Sequence, residues 1–207
     1  MDLEEEKQLV ARAKNDPEVF GDLFDAYYSK ILNYLIRRTG NVELAEDICS
    51  ETFHKALAKL WQFNWRSIPF SAWLYRIAIN ELNGYYHKQV KYRTISFETL
   101  SAETGFDIPG SSNILNELKE AEAELARHEL FLSVQKELAE LPLKYQEVLS
   151  LKYFENKKIA EIAIILGKKE GTIKSLISRG LTKLESRMQP LDKNSIIDIA
   201  AVKIENI

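Results

Sequence analysis

Between Glu161 and Gly180 the chain reads EIAIILGKKEGTIKSLISRG, and side chains suited to nucleic acid gather in its second half as Thr172, Lys174, Ser175, Ser178 and Arg179. On a helix these residues occupy the half opposite an apolar stripe of Ile173, Leu176, Ile177, Leu181 and Leu184. Short hydroxyls near a helix amino terminus suit phosphates or base edges, and basic groups extend that surface. Upstream, Ile159, Ile162, Ala163 and Leu166 form a second stripe, and Gly167 stands where a left-handed residue closes a tight turn. The pattern is that of a helix-turn-helix; the plain alternative is a helical hairpin with a solvated polar face.

Charge favours the DNA reading. From Pro142 to Gln189 ten Lys and Arg oppose five Glu, a net +5, whereas the whole chain carries −3. From Ser96 to Glu129 eight acidic residues oppose two basic ones, a net −6. The acid is therefore collected next to a cationic candidate reader rather than on it.

A second group lies in WQFNWRSIPFSAWLYRIAINELNGYYHKQVKYR, Trp61 to Arg93, which holds all three tryptophans. Phe70, Trp73, Leu74, Ile77, Ala78 and Leu82 read as a buried stripe. Asn64, Trp65, Arg66 and Ser67 form a polar, aromatic loop, and Arg76, Asn80 and Asn83 fall on the more polar side of the helix that follows. Aromatic groups interleaved with basic ones offer unpaired bases a stacking surface, worth roughly 1–3 kcal/mol per base.

A third group is acidic. In NVELAEDICSETFHKALAKL, Glu43, Asp47, Ser50, Glu51 and His54 share one face, while Leu44, Ile48, Phe53, Ala56 and Leu57 are expected to point inward. Such a face repels DNA and suits a basic protein partner or plain solvent. Glu51 and His54 have Glu-x-x-His spacing, but a carboxylate-bridged metal pair needs that motif twice, and the chain has it once. The sequence calls for no metal and no cofactor.

Apolar residues recur at helical spacing nearly throughout, so the elements that position these groups are helices and the fold class is all-α. Helices are expected at about Glu4–Lys14, Pro17–Arg38, Val42–Trp61, Pro69–Lys91, Leu118–Leu138, Leu143–Phe154, Lys158–Leu166 and Glu170–Met188. The Ser, Thr, Gly and Pro of Thr94 to Asn116 break the period and mark a flexible linker. The division is a helical domain over 1–93, an acidic linker over 94–128, a second helical domain over 129–189 and a tail over 190–207. Cys49 is the single cysteine, no apolar run reaches the roughly 20 residues of a membrane span, and the acidic MDLEEEKQLV is unlike a signal peptide. A cytoplasmic protein without membrane insertion is expected.

Taken together and in order, AEDICSETFHKAL, FSAWLYRIAIN and LPLKYQEVLSLKYFENKKIAEIAIILGKKEGTIKSLISRG resemble sigma factors of the extracytoplasmic-function (ECF) group. The resemblance covers about Asp16 to Met188. It implies a σ2 and a σ4 domain that direct core RNA polymerase to promoters without themselves being enzymes. Glu46, Asp47 and Glu51 would bind the β′ clamp helices, and σ4 the β flap. Asn64, Trp65, Arg66 and Ser67 would capture a flipped minus-10 base beside Arg76, Asn80 and Asn83. Thr172, Lys174, Ser175, Ser178 and Arg179 would read the minus-35 element, the acidic linker would mimic nucleic acid near the polymerase active site, and an anti-sigma factor is a further candidate partner. Where family members commonly carry Arg and Ala, this chain has Leu176 and Gly180, which implies fewer phosphate contacts and a helix weaker by about 1 kcal/mol. The alternative is a free-standing helix-turn-helix regulator, which leaves the aromatic loop and acidic face without a role.

Overall fold

The computed structural model describes residues 2–65, 68–93 and 116–188. Arg66 and Ser67 of the predicted loop, most of the predicted linker, and the tail lie outside them. Eight α-helices are present among the described residues: α1 (Leu3–Ala13), α2 (Phe20–Thr39), α3 (Val42–Ala58), α4 (Phe70–Arg93), α5 (Asn116–Ala139), α6 (Leu143–Leu149), α7 (Ile159–Leu166) and α8 (Glu170–Arg187). No strand interrupts them, so the fold is all-α, in two helical parts. The acidic stretch from Asn116 onward is already helix.

Local chemistry explains the boundaries. Asp2 caps α1 by accepting from the backbone N–H of Glu4 and Glu5, while Glu5 returns a bond to the Asp2 N–H. Asn41 caps α3 through Leu44 N–H at 2.8 Å. Gly40, with φ of +63°, ends α2. The helix expected to run from Leu143 to Phe154 changes pitch midway: Ser150–Phe154 forms a π turn.

The first part packs α2, α3 and α4 around Leu23, Ile31, Tyr34, Leu35, Phe53, Phe70, Leu74 and Leu82, all essentially removed from solvent. Buried Glu6 on α1 accepts from the Tyr27 hydroxyl and, at 3.4 Å, from the Ser71 N–H, tying α1 to α2 and to the start of α4. The second part closes α6, α7 and α8 around Val148, Leu151, Ile162, Ile165 and Ile173. Gly180 lets α8 approach α6: a Cβ there would meet Leu149 Cδ1 at 3.2 Å and Tyr145 Cβ at 3.4 Å. The glycine that weakens the helix in isolation therefore serves the helix-helix contact.

Three expectations need correction. Leu57 is 42% exposed; it lies about 120° round α3 from the centre of the buried Ala45, Ile48, Cys49, Thr52, Phe53 and Ala56 stripe. Cys49 and Thr52 take the inward positions instead. On α7, Leu166 and Ile159 are only half-buried while Ile165, outside the expected stripe, is fully enclosed. Trp65, expected in a polar loop, is half-buried and packs edge-on against Phe63 at 6.0 Å, next to Phe70 and Trp73. The exposed tryptophan is Trp61, at 72%.

Candidate nucleic-acid and protein interfaces

The helix-turn-helix forms as the residue pattern requires. Gly167, with φ of +63°, ends α7, and Lys168 N–H closes the turn on Ala163 O at 2.9 Å. Glu161 accepts from the Lys158 N–H at 2.7 Å and fixes the start of α7. Buried Ile173, Leu176 and Leu184 anchor α8, leaving Thr172, Lys174, Ser175, Ser178 and Arg179 together on its exposed side. Arg179 Nε donates to Ser175 O at 3.2 Å, so its guanidinium lies along its own helix. Leu176 belongs to the core, where an arginine would have to bury its charge; the missing arginine does not leave a gap in the exposed face.

The acidic group also assembles. Glu46, Asp47 and Glu51 are exposed on α3. Lys55 bonds Glu51 at 3.0 Å and reaches Glu81 of α4. The bond from Lys55 holds the Glu51 carboxyl below its usual range, and Glu81 followed by Glu51 holds the Lys55 ammonium above its own. Exposed Leu57 shares this side of α3, so the surface is acidic with an apolar rim rather than uniformly polar. Buried Cys49 behind it has its thiol pushed up to about 12 by burial and remains protonated.

The third group is only partly brought together. Asn64 and Asn80 are exposed. Arg76 and Asn83 are engaged elsewhere: Arg76 Nε donates to Ile165 O at 2.9 Å and Nη2 to Ile164 O, while Asn83 Nδ2 donates to Glu147 Oε1 at 2.8 Å. Both partners belong to the helix-turn-helix part. The two halves thus meet along a polar seam that sequence reasoning did not anticipate.

Glu155 is the centre of that seam. Its carboxylate, 10% exposed, accepts from Arg37 Nη1 at 3.2 Å and from the Tyr75 hydroxyl at 2.6 Å. Arg37 also donates to Phe154 O at 3.0 Å, and Lys157 lies 5.1 Å over the Tyr75 ring. Burial, then the Glu155 charge, pushes the Tyr75 phenol far above its usual value, so it serves as a donor only. Buried Arg38 donates to Gln146, and Gln135 Nε2 bonds the carbonyls of Ile36 and Arg37 at 3.1 and 2.9 Å. One signal of the seam was legible. The run IAEIAIIL is apolar on more sides than a helix-turn-helix alone can bury, and Ile164 and Ile165 face α4.

The all-helical fold thus carries a helix-turn-helix with an exposed basic and hydroxyl-bearing side in one part and a separate exposed acidic face in the other. Two family descriptions match: "Sigma-70 region 2" over residues 23–91 and "Sigma-70, region 4" over 131–184. The ECF RNA polymerase sigma factor SigW of Bacillus subtilis is 31% identical over 191 residues, 92% of this chain and 100% of that protein. The RNA polymerase sigma factor YlaC of the same organism is 34% identical over 169 residues, 81% and 90% of the two chains. Among solved structures, CnrH in complex with the cytosolic domain of CnrY superposes with a TM-score of 0.59 at 24% identity, covering 88% of this chain and 96% of that one. The sigma factor RpoE in complex with the anti-sigma factor NepR from Bartonella quintana has a TM-score of 0.59 at 23% identity, covering 81% and 94%. The chain belongs to the sigma-70 family of RNA polymerase sigma factors, in its ECF group.

Proposed function

We propose that this chain is a non-catalytic specificity subunit that directs core RNA polymerase to its promoters, with the labour divided among the three surfaces. The exposed side of α8, carrying Thr172, Lys174, Ser175, Ser178 and Arg179, reads the minus-35 duplex. The loop Asn64, Trp65, Arg66, Ser67 and the α4 residues Arg76, Asn80 and Asn83 receive the melted minus-10 strand. Glu46, Asp47 and Glu51 bind the β′ clamp helices, and the second domain meets the β flap. The domains are taken as 1–93 and 129–189, separated by the linker over 94–128.

The single observation that carries this reading is the pairing, in one chain, of an exposed basic and hydroxyl-bearing recognition helix with an exposed acidic face on another helix. Like charge keeps the acidic face off DNA and leaves it open to a basic protein partner. The sigma factor RpoE from Bartonella quintana is solved in complex with the anti-sigma factor NepR, and a partner of that kind is proposed here too. No described helix is long and apolar enough to cross a membrane; polymerase and DNA place the site of action in the cytoplasm.

Run-off transcription with purified core polymerase on a promoter library tests the proposal. Transcripts that start at a shared pair of elements and depend on this chain are expected. Tight binding to a duplex operator by the chain alone, with no transcript stimulated by core polymerase, would identify a free-standing regulator instead.

A further inference from the structure

We infer that Glu6 and Lys14 are positioning residues for base capture: through them α1 holds both flanks of the loop that begins at Asn64, and so fixes how Asn64 and Trp65 are presented to an extruded base. The inference rests on the minus-10 reading proposed above and adds to it two residues from a helix to which that reading gives no role.

Three observations carry it. First, one helix reaches both flanks. Lys14, at the carboxy-terminal cap of α1, donates from Nζ to the carbonyl of Phe63, the residue before Asn64. Glu6 accepts at 3.4 Å from the backbone N–H of Ser71, two residues after Pro69. Glu6 and Lys14 stand about 12 Å apart along α1 at about 1.5 Å per residue, so both flanks are referred to a single rod.

Second, the bond from Glu6 meets a need that the loop's own sequence leaves open. Ser71 N–H is among the first N–H groups of α4, which have no intrahelical acceptor. The residue before Phe70 is Pro69, whose ring carries no oxygen to cap them. Glu6 brings that oxygen from another helix, and its carboxylate meets the positive end of the α4 dipole. A carboxylate is costly to bury without partners. Glu6 is 3% exposed, and the Tyr27 hydroxyl donates to the same Oε1 that accepts from Ser71.

Third, the flanks carry the groups assigned to base capture. Phe63 packs edge-on against Phe70 at 5.6 Å and against Trp65 at 6.0 Å, and the Tyr27 ring lies 5.9 Å from Phe70. Asn64, between Phe63 and Trp65, is exposed. Its place therefore depends on the Phe63 carbonyl and on the aromatic contact beneath it. A site already held in its bound arrangement spares the ordering cost of binding, so loss of either bond lowers affinity for an unpaired strand without removing a group that touches it.

The first test is Lys14→Ala in the full chain, at an exposed position. The probe is a single-stranded oligonucleotide carrying the minus-10 element found by run-off transcription. Its affinity is expected to fall about three- to tenfold at an unchanged salt slope, and Lys14→Arg, which keeps a donor, is expected to restore it. Amide hydrogen exchange over residues 60–73 is expected to quicken about three- to tenfold, with the other helices and the melting temperature as in wild type. Wild-type affinity in Lys14→Ala overturns the inference. So does an affinity loss at wild-type exchange with the slope lower by about one phosphate contact, because Lys14 then touches DNA itself.

Glu6 supplies a second arm, with a sign that charge cannot imitate. Removing a negative charge near DNA strengthens binding when it acts through the field; the brace gives the reverse. Glu6→Met, without an oxygen to accept from Ser71, is expected to bind the oligonucleotide about three- to tenfold more weakly, whereas Glu6→Gln, equally uncharged but keeping an acceptor, stays within about twofold of wild type. Equal affinities for Met and Gln overturn the role of Glu6, and if Glu6→Met loses helical content the Lys14 arm decides alone. If wild type binds the minus-10 oligonucleotide no better than a scrambled one, the minus-10 reading fails instead, and exchange over 60–73 still decides whether α1 holds the loop.

Discussion

The hydroxyl of Tyr75 on α4 lies 2.6 Å from Glu155 Oε2, eighty positions later in the chain, and this one bond joins the helix expected to face the melted strand to the domain expected to read duplex DNA. Tyr34 packs edge-on against the Tyr75 ring at 5.2 Å, which carries the contact into the core of the first domain. Three buried phenols, Tyr27, Tyr34 and Tyr75, have their ionisation displaced upward, and each is coupled to folding.

Alkaline pH therefore weakens the fold. Burial pushes the Tyr34 phenol up to about 12, and burial followed by Glu6 and Glu155 raises Tyr27 and Tyr75 respectively. In the unfolded chain tyrosine ionises near its ordinary value of about 10, so the unfolded state sheds protons first. Stability is complete below about pH 10 and falls above it, by up to about 1.4 kcal/mol per pH unit for each tyrosine. Urea unfolding between pH 8 and 11 measures the fall, and Tyr34→Phe is expected to make it shallower; a slope identical to wild type contradicts the assignment.

Gly180 separates helix propensity from packing. Gly180→Ala gains about 1 kcal/mol of propensity but presses a methyl on Leu149, and the two are expected to cancel to within about 1 kcal/mol. Gly180→Val adds branches where the neighbours already stand at 3.2–3.4 Å, and a loss of about 1–3 kcal/mol is expected. Thermal unfolding of both variants reads the difference; equal stability for Val and Ala counts against the close approach of α6 and α8.

Reversing the charge of Asp47 and Glu51 to Lys tests the acidic face. Both are exposed, so the melting temperature and helical content are expected to stay as in wild type while affinity for core polymerase drops by about tenfold or more. A titration against core polymerase that shows no change removes α3 from the interface.

Duplex reading and base capture are expected to separate cleanly. Lys174→Ala and Arg179→Ala weaken duplex binding and lower its salt slope by about one phosphate each. Asn64→Ala or Trp65→Ala leaves the closed complex intact and lowers the open fraction, because an extruded base recovers its few kcal/mol of lost stacking only after melting. Permanganate footprinting on a pre-melted template is expected to rescue the loop variants in part and not Arg179→Ala. Equal defects for both classes on both templates contradict the division.

Trp65 carries a second consequence. It packs on Phe63, which in turn touches Phe70 and Trp73, so Trp65→Ala is also expected to destabilise the first domain by about 1–2 kcal/mol. Trp61→Ala, at an exposed position, is expected to change stability by less than about 0.5 kcal/mol. Denaturant midpoints of the two variants discriminate; a larger loss for Trp61 reverses the assignment of buried and exposed tryptophan.

Helix content, the turn at Gly167 and the exposed side of α8 are local properties. They depend on the 3.6-residue period, on a residue without a Cβ at a positive φ, and on the angle between neighbouring side chains, and all three are written in consecutive residues. The acidic side of α3 was legible for the same reason, since Glu46, Asp47 and Glu51 sit within two turns of one another. The positions of Leu57, Trp65 and Ile165 were not. Each depends on which neighbour fills the space beside it, and that neighbour comes from another helix. The seam lay furthest from view: Arg37, Tyr75, Asn83, Glu147 and Glu155 are scattered over more than a hundred residues, each unremarkable on its own helix. Only the packing of α2 and α4 against α6 and the π turn brings the arginine, the phenol, the amide and the two carboxylates into one contact, where they act on each other instead of on water.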